Sequence, residues 1–163
     1  ITYQTYYKNR QEIEKNWVFF DNKKQLYIIY KWFPLTICEL INSDKDRQNE
    51  LVSKKKINID ILREMRGSSN GIHYNNEIWF ITHKTLGRNR TFQHYFVIFD
   101  LNLNLLKISE PFKFENYIRE YCICFYIEND NIFIGYSTND NTSILNIYNK
   151  EDLLDNIKFT SNV

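Results

Sequence analysis

The feature that most constrains this chain is a strand motif that occurs three times at nearly constant spacing. Each copy is rich in β-branched and aromatic residues, and each follows a short polar turn. The copies lie 52 and then 54 residues apart, at residues 26–32, 78–84 and 132–138. A period near fifty residues, with a turn at the same place in each repeat, is typical of architectures built from small antiparallel sheets.

The repeat predicts an all-β fold, a β-propeller in which each repeat forms one four-stranded blade. We expect three blades, at residues 12–56, 64–109 and 118–150, within a single domain or fragment that spans residues 1–163. The alternative is a meandering β-sandwich, whose strands also recur at short spacing. A sandwich does not require the period and the turn to recur together, so the repeat favours blades.

Composition supports strands over helices. The chain contains no alanine, and aromatic residues make up 17% of it, which favours pleated, half-buried surfaces. Residues 150–157 are the exception, because Leu153, Leu154 and Ile157 follow a helical spacing and predict a short C-terminal helix. Residues 57–65 are ambiguous. Predicted strands cover residues 2–7, 17–20, 26–32, 35–41, 51–55, 72–74, 78–83, 92–100, 105–108, 122–127, 132–136 and 143–148.

Charge and glycine content exclude several classes of function. The formal net charge is +1, which offers no electrostatic reason to bind nucleic acid or an anionic membrane. No apolar stretch approaches the roughly 20 residues that a membrane-spanning helix needs. With only four glycines, the chain has no phosphate-binding loop, dinucleotide fingerprint or nucleophile elbow.

The cysteines and the N-terminus indicate the setting of the chain. Cys38, Cys122 and Cys124 are odd in number, and Cys122 and Cys124 would point to opposite faces of a strand. This pattern favours neither disulfides nor zinc and predicts a reducing, cytoplasmic compartment. Because the chain begins at Ile1 without an initiator methionine or a secretory segment, we expect it to be part of a longer protein.

The same offsets pick out one charged residue at the start of each blade: Glu14, Arg66 and Glu120. First strands of propeller blades run beside the central channel, so these residues are expected at one channel mouth. Carboxylates accept hydrogen bonds from sugar hydroxyls, Arg binds phosphate or carboxylate, and Trp17 offers an aromatic face for a sugar ring. Paired carboxylates could also perform acid and base catalysis. The alternative is that these charges form ion pairs between blades.

Three further residues are candidates. His83 ends a second strand and His94 lies within an aromatic run, so either could contact a substrate oxygen, although a strand histidine is more often a packing residue. Asp140 lies in a polar cluster after the third motif, where an ordinary turn is the alternative. No spacing of His with His or carboxylate supports a metal site.

Six segments together carry a resemblance to a known family. They are 14–17 (Glu-Lys-Asn-Trp), 66–69 (Arg-Gly-Ser-Ser), 94–100, 108–112, 120–122 (Glu-Tyr-Cys) and 139–140 (Asn-Asp). In this order, over about residues 12–150, they resemble the five-bladed propellers of glycoside hydrolase family 130, which are mannoside phosphorylases and hydrolases. Related propellers accompany glycosyltransferase modules in bacterial and giant-virus proteins, and the composition fits a giant virus, which implies host-cell cytoplasm or virion.

The resemblance implies that Arg66, Ser68, His94 and Glu120 face a sugar or phosphate pocket. It implies carbohydrate as ligand, inorganic phosphate as a co-substrate, no other cofactor, and the remaining blades or another module of the parent protein as partners. Two departures weigh against an intact phosphorylase site: Tyr95 stands where relatives tend to have Arg, and Lys84 where they tend to have Glu. A non-catalytic glycan-binding or virion-structural module is therefore the alternative to an enzyme.

Overall fold

A computed structural model describes residues 4–6, 15–43, 48–88 and 90–160. Across these ranges the chain forms three sheets, here named A, B and C in chain order. Sheet A has the order β1-β5-β4-β3-β2, with β1 parallel to β5 and the other pairs antiparallel. Its strands are β1 (Gln4–Tyr6), β2 (Val18–Asn22), β3 (Gln25–Trp32), β4 (Leu35–Ser43) and β5 (Gln48–Ile57).

Sheets B and C are antiparallel. Sheet B comprises β6 (Arg66–Gly67), β7 (Ile72–Tyr74), β8 (Glu77–Leu86), β9 (Thr91–Asp100), β10 (Leu105–Ser109) and β14 (Phe159–Thr160). Sheet C comprises β11 (Glu120–Glu128), β12 (Asn131–Thr138) and β13 (Thr142–Asn149). A 3-10 helix (Asp60–Leu62) precedes sheet B, and helix α1 (Lys150–Asn156) follows sheet C. The predicted all-β class and the short C-terminal helix are confirmed.

Tight turns make the strands of each sheet reverse direction. Asn75 and Asn76, between β7 and β8, both have positive φ, as do Asn139 and Asp140 between β12 and β13. Two successive residues with positive φ form a turn whose twist matches that of an antiparallel hairpin, and among residues with a side chain Asn and Asp tolerate positive φ best. Helix α1 begins in a similarly local way, because the Asn149 side chain accepts a hydrogen bond of 3.1 Å from the Asp152 amide.

Sheet B is the middle layer, and both of its faces are buried. Along β8, Ile78 and Phe80 pack toward sheet A, while Trp79 and Ile81 pack toward sheet C. Edge-to-face aromatic contacts cross each junction, including Phe20 of sheet A on Phe80, with ring centroids 5.4 Å apart. Three consecutive sheets thus stack face to face in a propeller-like arrangement, and not as the two layers of a sandwich. The repeat boundaries remain predictions.

Two elements of sheet B were not predicted. Strand β6 is only two residues long. Strand β14 is equally short, and it pairs with β10 although all of sheet C and helix α1 lie between these two strands in the sequence. Neither has enough residues to show an alternating pattern, so the sequence offered no signal for them.

Gly67, the second residue of β6, sets the distance between sheets A and B. A Cβ atom at this position would lie 2.6 Å from the Asn16 carbonyl oxygen and would also clash with Val18 Cγ1. Only a residue without a side chain allows this approach. Because Arg66 is adjacent, Gly67 also determines where Arg66 sits relative to the start of sheet A.

We therefore predict that Gly67→Ala destabilises the protein by about 2 kcal/mol, because the added methyl forces two packed sheets apart. Urea unfolding followed by tryptophan fluorescence measures this change. Gly87→Asn is the matched control, since Gly87 has positive φ and open space around it. The control should change the free energy of unfolding by less than about 0.5 kcal/mol. Equal effects of the two variants would contradict the packing argument.

Candidate functional site

The antiparallel register brings most of the predicted site residues to the same end of their sheets. Arg66 pairs with His83 across β6 and β8, and His83 pairs with His94 across β8 and β9. Glu120 pairs with Thr138 at the corresponding end of sheet C. Trp17 immediately precedes β2 of sheet A. At this end of the three sheets, strands β2, β6 and β11 begin, and their antiparallel partners β3, β8 and β12 end.

His83 is a buried, neutral imidazole at the centre of this region. Its Nδ1 lies 2.8 Å from Ser68 Oγ, within hydrogen-bond distance. The rings of Phe92 and Tyr121 pack against it, with centroids at 4.9 and 5.4 Å. Burial, with smaller contributions from His94 and Arg66, lowers the pKa of His83 to about 3. The histidine is therefore uncharged at neutral pH.

His94 links sheet B to the start of sheet C. Its Nε2 donates a hydrogen bond of 2.8 Å to the backbone carbonyl of Glu120. Burial lowers the pKa of His94 to about 4, although the contact with Glu120 acts in the opposite direction. The rings of Phe112 and Phe114 flank the imidazole. In this position His94 holds two sheets together and presents no open edge to a ligand.

The Glu120 carboxylate is fully buried and organises the loop between β10 and β11. It accepts hydrogen bonds from the backbone amides of Phe114, Glu115 and Tyr117, at 2.8, 2.9 and 2.7 Å. Backbone amides that converge on one carboxylate form strong, charge-assisted hydrogen bonds. Glu120 thus positions residues 114–117, and its oxygens are directed into the loop.

Arg66 differs from these residues because its side chain is exposed and borders a cavity. The cavity, of about 440 Å³, lies between the start of sheet A and the segment that leads into sheet B. It is lined by Lys15, Asn16, Tyr30, Lys31, Trp32, Phe33, Glu64, Met65 and Arg66. We name it the Arg66 cavity. Of the lining residues that the structure describes, three are cations and one is a carboxylate, a balance that favours an anionic group.

Trp17 supports one wall of the Arg66 cavity. Its ring packs on that of Tyr30, with centroids 5.3 Å apart, and Tyr30 lines the cavity. Tyr30 and Lys31 were not selected from the sequence, although both lie inside the first strand motif. The equivalent positions of the later motifs carry Thr82 and Tyr136, then His83 and Ser137, so the repeat alignment does not single them out.

Of the two remaining candidates, Asp140 is the one that the structure describes, and it lies apart from this group. Asp140 occupies the exposed turn after β12, where its carboxylate is 3.4 Å from the Arg119 guanidinium. Glu14 lies outside the described residues. The structure thus brings the half-buried Ser68 together with the buried His83, His94 and Glu120, with Arg66 beside them, and it leaves Asp140 at the surface.

Other features of the described parts of the chain bear on the class of site. No cluster of three or more His, Cys, Asp or Glu side chains there could hold a metal ion. No helix in those parts is long and apolar enough to cross a membrane. A second cavity of about 420 Å³ lies between sheets B and C and helix α1, with Phe112, Phe114 and Ile134 among its walls. It contains none of the predicted site residues.

Comparison with known proteins finds similarity at the level of fold. No protein-family model matches the sequence. No curated protein sequence matches it either. Among solved structures, the chain is similar to β-1,2-mannobiose phosphorylase from Listeria innocua in complex with β-1,2-mannobiose, with a TM-score of 0.60 and 12% identity. The match covers 89% of this chain and 47% of that one, so this chain spans about half the length of the phosphorylase. The propeller-like fold is the property that this likeness establishes.

The buried histidines predict a characteristic loss of stability in acid. Their pKa values in the folded state lie below the ordinary value of 6.5, so the folded protein binds fewer protons than the unfolded chain. Their contribution is complete above about pH 6.5 and is lost as the pH falls toward 4, at about 1.4 kcal/mol per pH unit for each histidine. His83→Gln should make the fall between pH 6 and 4.5 shallower by about that slope.

Urea unfolding at several pH values measures this slope. His73→Gln is the control, because His73 is exposed and this variant keeps both buried histidines. The control should retain their share of the pH dependence. A His83→Gln protein with the same slope as the wild type would show that His83 is not held neutral by burial.

Glu120→Gln should destabilise the protein by about 2 to 4 kcal/mol, because a neutral amide cannot replace a carboxylate that accepts three amide hydrogen bonds. Amide chemical shifts of Phe114, Glu115 and Tyr117 should change most, and urea unfolding gives the free energy. Glu128→Gln, at the exposed opposite end of β11, is the matched control and should be neutral. Unchanged stability in Glu120→Gln would favour a ligand-binding role for this carboxylate instead.

Proposed function

We propose that this chain is part of a carbohydrate-acting, family-130-like domain, and that it binds sugar at the Arg66 cavity. The observation that carries the proposal is the propeller-like fold shared with a mannobiose phosphorylase, together with a charged, aromatic-walled cavity at the end of the sheets where first strands begin. Sugar sites commonly combine aromatic faces with a few polar groups that fix orientation. The cavity offers both.

Each group around the cavity has a role that its chemistry suits. Phe33, which is partly exposed, supplies aromatic surface for a sugar, Tyr30 is a buried part of the wall, and Glu64 accepts hydrogen bonds from hydroxyls. Arg66, with Lys31 nearby, binds a phosphate or carboxylate through its planar guanidinium. Inorganic phosphate as a co-substrate, or an anionic group on the sugar itself, would meet this end of the cavity.

The described residues favour recognition over complete chemistry. Glycoside cleavage of the common kind uses two carboxyl groups on either side of the bond. Among the described residues that line the Arg66 cavity, Glu64 is the one carboxylate, and the Glu120 carboxylate is engaged by backbone amides. The two buried histidines are neutral, and one ring nitrogen of each is engaged, by Ser68 for His83 and by the Glu120 carbonyl for His94. In this proposal the chain binds the sugar, and catalysis draws on groups beyond those that the structure describes.

Two candidate functions follow, and they differ in whether turnover occurs. In the first, the chain belongs to a mannoside phosphorylase or hydrolase, with the remaining blades or another module of a longer protein completing the site. In the second, it is a non-catalytic glycan-binding module. A cytoplasmic or virion location and an association with glycosyltransferase modules remain predictions from the sequence.

Sugar binding is tested by isothermal titration of the protein with β-1,2-mannobiose, with and without inorganic phosphate. We expect binding in the wild type and a loss of affinity of about tenfold or more in Arg66→Ala, which removes a charge-assisted hydrogen-bond donor. Lys24→Ala is the control, because Lys24 is exposed in the turn at the other end of the β2–β3 hairpin and carries the same charge. It should bind as the wild type does.

Turnover separates the two candidate functions. Phosphate-dependent release of sugar from the same mannobiose, abolished in Arg66→Ala, supports the enzyme. Binding without turnover supports the recognition module. A wild-type protein that neither binds nor cleaves mannosides contradicts the proposal as a whole.

A further inference from the structure

The cavity between sheets B and C and helix α1 differs in character from the Arg66 cavity, and we name it the α1 cavity. Its volume of about 420 Å³ is within the range of small-molecule binding sites, about 300 to 1,000 Å³. Both sheets, the loop before β11 and the segment at residues 150–157 contribute apolar side chains to its walls: Phe96, Phe112, Phe114, Ile134, Leu153 and Ile157. The walls have the composition of an apolar binding site.

Packing against the two sheets holds these walls in place. The ring of Phe112 stacks on Phe96, with centroids 5.0 Å apart. The backbone of Phe112 also exchanges two hydrogen bonds of 2.9 Å with His94. The ring of Phe114 stacks on Tyr136, with centroids 4.3 Å apart. Because the walls are anchored to both sheets, the cavity is formed before any ligand enters, as is usual for small-molecule sites.

Tyr148 adds a hydrogen-bond donor to the cavity that it lines. The Asn146 side-chain amide donates to the hydroxyl oxygens of Tyr136 and Tyr148, at 3.1 and 2.9 Å. A tyrosine hydroxyl that accepts a hydrogen bond still has one proton to donate. The Tyr136 hydroxyl donates to Glu115, whereas in the described parts of the chain no acceptor takes the proton of Tyr148. The Tyr148 hydroxyl therefore keeps a donor for a ligand.

Charged side chains also line the α1 cavity. The half-buried Lys113 and the exposed Lys158 form no ion pair within the ranges that the structure describes. Glu110 is the carboxylate among the described lining residues, and it is exposed to solvent. Two ammonium groups against one carboxylate favour a ligand with a negative charge.

We propose that the α1 cavity binds a small amphipathic acid, in which an aliphatic or aromatic body carries one carboxylate. The body fills the space between the apolar walls, where it is removed from water. The carboxylate accepts a hydrogen bond from the Tyr148 hydroxyl and is attracted by Lys113 and Lys158. The α1 cavity shares no described lining residue with the Arg66 cavity, so this proposal does not rest on sugar binding.

Three ligands with the same eight-carbon chain test the proposal on the wild-type protein: octanoate, octan-1-ol and octylammonium. Isothermal titration should show octanoate binding about tenfold more tightly than octan-1-ol, because a hydrogen bond to a charged group is stronger than one to a neutral group. Octylammonium should bind more weakly than either, because the lysines repel it. In protein NMR, octanoate should shift the amide signals of residues 112–114 and 153–158, and leave those of residues 64–66 unchanged.

Matched variants test the two kinds of polar group. Tyr148→Phe should lose about tenfold in affinity for octanoate, with little change for octan-1-ol. Tyr126→Phe makes the same change at a tyrosine that is 53% exposed and does not line the cavity, and it should bind as the wild type does. Lys113→Met should weaken octanoate about threefold, since a partly exposed ion pair contributes modestly. Lys56→Met, at an exposed lysine on sheet A, should have no effect.

Three results would overturn the proposal. A wild-type protein that binds none of the three ligands at millimolar concentration has no such site. Equal affinity for octanoate and octan-1-ol, unchanged in Tyr148→Phe, would mean that the cavity does not recognise the carboxylate. Octanoate binding that leaves the signals of residues 112–114 and 153–158 unchanged would place the ligand elsewhere. Circular dichroism shows that each variant keeps its fold, and the titration with mannobiose reports on the Arg66 cavity separately.

Discussion

The burial of both faces of strand β8 is the constraint on which the rest of this structure depends. Ile78 and Phe80 require an apolar partner on one side, and Trp79 and Ile81 require one on the other. A half-buried antiparallel sheet would leave two of these four side chains in water, at a cost of about 2 kcal/mol for each. Sheet B must therefore lie between two other sheets. This requirement selects a stack of successive sheets over a two-layer sandwich, in which each sheet has one buried face.

The stack also explains why polar groups collect where they do. The middle of each junction is filled by aromatic and aliphatic side chains, so polar side chains between sheets are tolerated only near strand ends, where backbone groups of loops can satisfy them. His94 and Glu120 follow this rule. The imidazole donates to the Glu120 carbonyl, and the carboxylate of the same residue accepts from the loop that enters sheet C. Glu120 thus joins the preceding loop to β11 through its carboxylate, and it joins β11 to sheet B through its carbonyl.

Local sequence patterns predicted those structural elements that are determined by residues close together in the chain. The three strand motifs, the polar turns and the C-terminal helix were all predicted because alternation, turn propensity and helical spacing involve residues a few positions apart. What could not be predicted depends on contacts across sheets. The close approach at Gly67, the return of β14 to sheet B and the hydrogen bond from His94 to the Glu120 carbonyl each require a partner from a distant part of the chain. Equivalent repeat positions identified Arg66 and Glu120 as charged residues at strand starts. The Arg66 side chain is exposed, whereas the Glu120 side chain is buried against the loop that precedes β11.

This divergence between equivalent positions has a physical cause. Arg66 precedes a glycine and follows a 3-10 helix, so its side chain meets the wide gap at the start of sheet A. Glu120 follows a long loop in which the amides of residues 114, 115 and 117 have no strand partner, and a carboxylate is the side chain best able to accept several of them. Repeats that share strand geometry can thus differ in the chemistry of their first residue, because the segment entering each sheet differs in length. In this fold the entering segments, more than the strands, decide which polar groups remain open to a ligand.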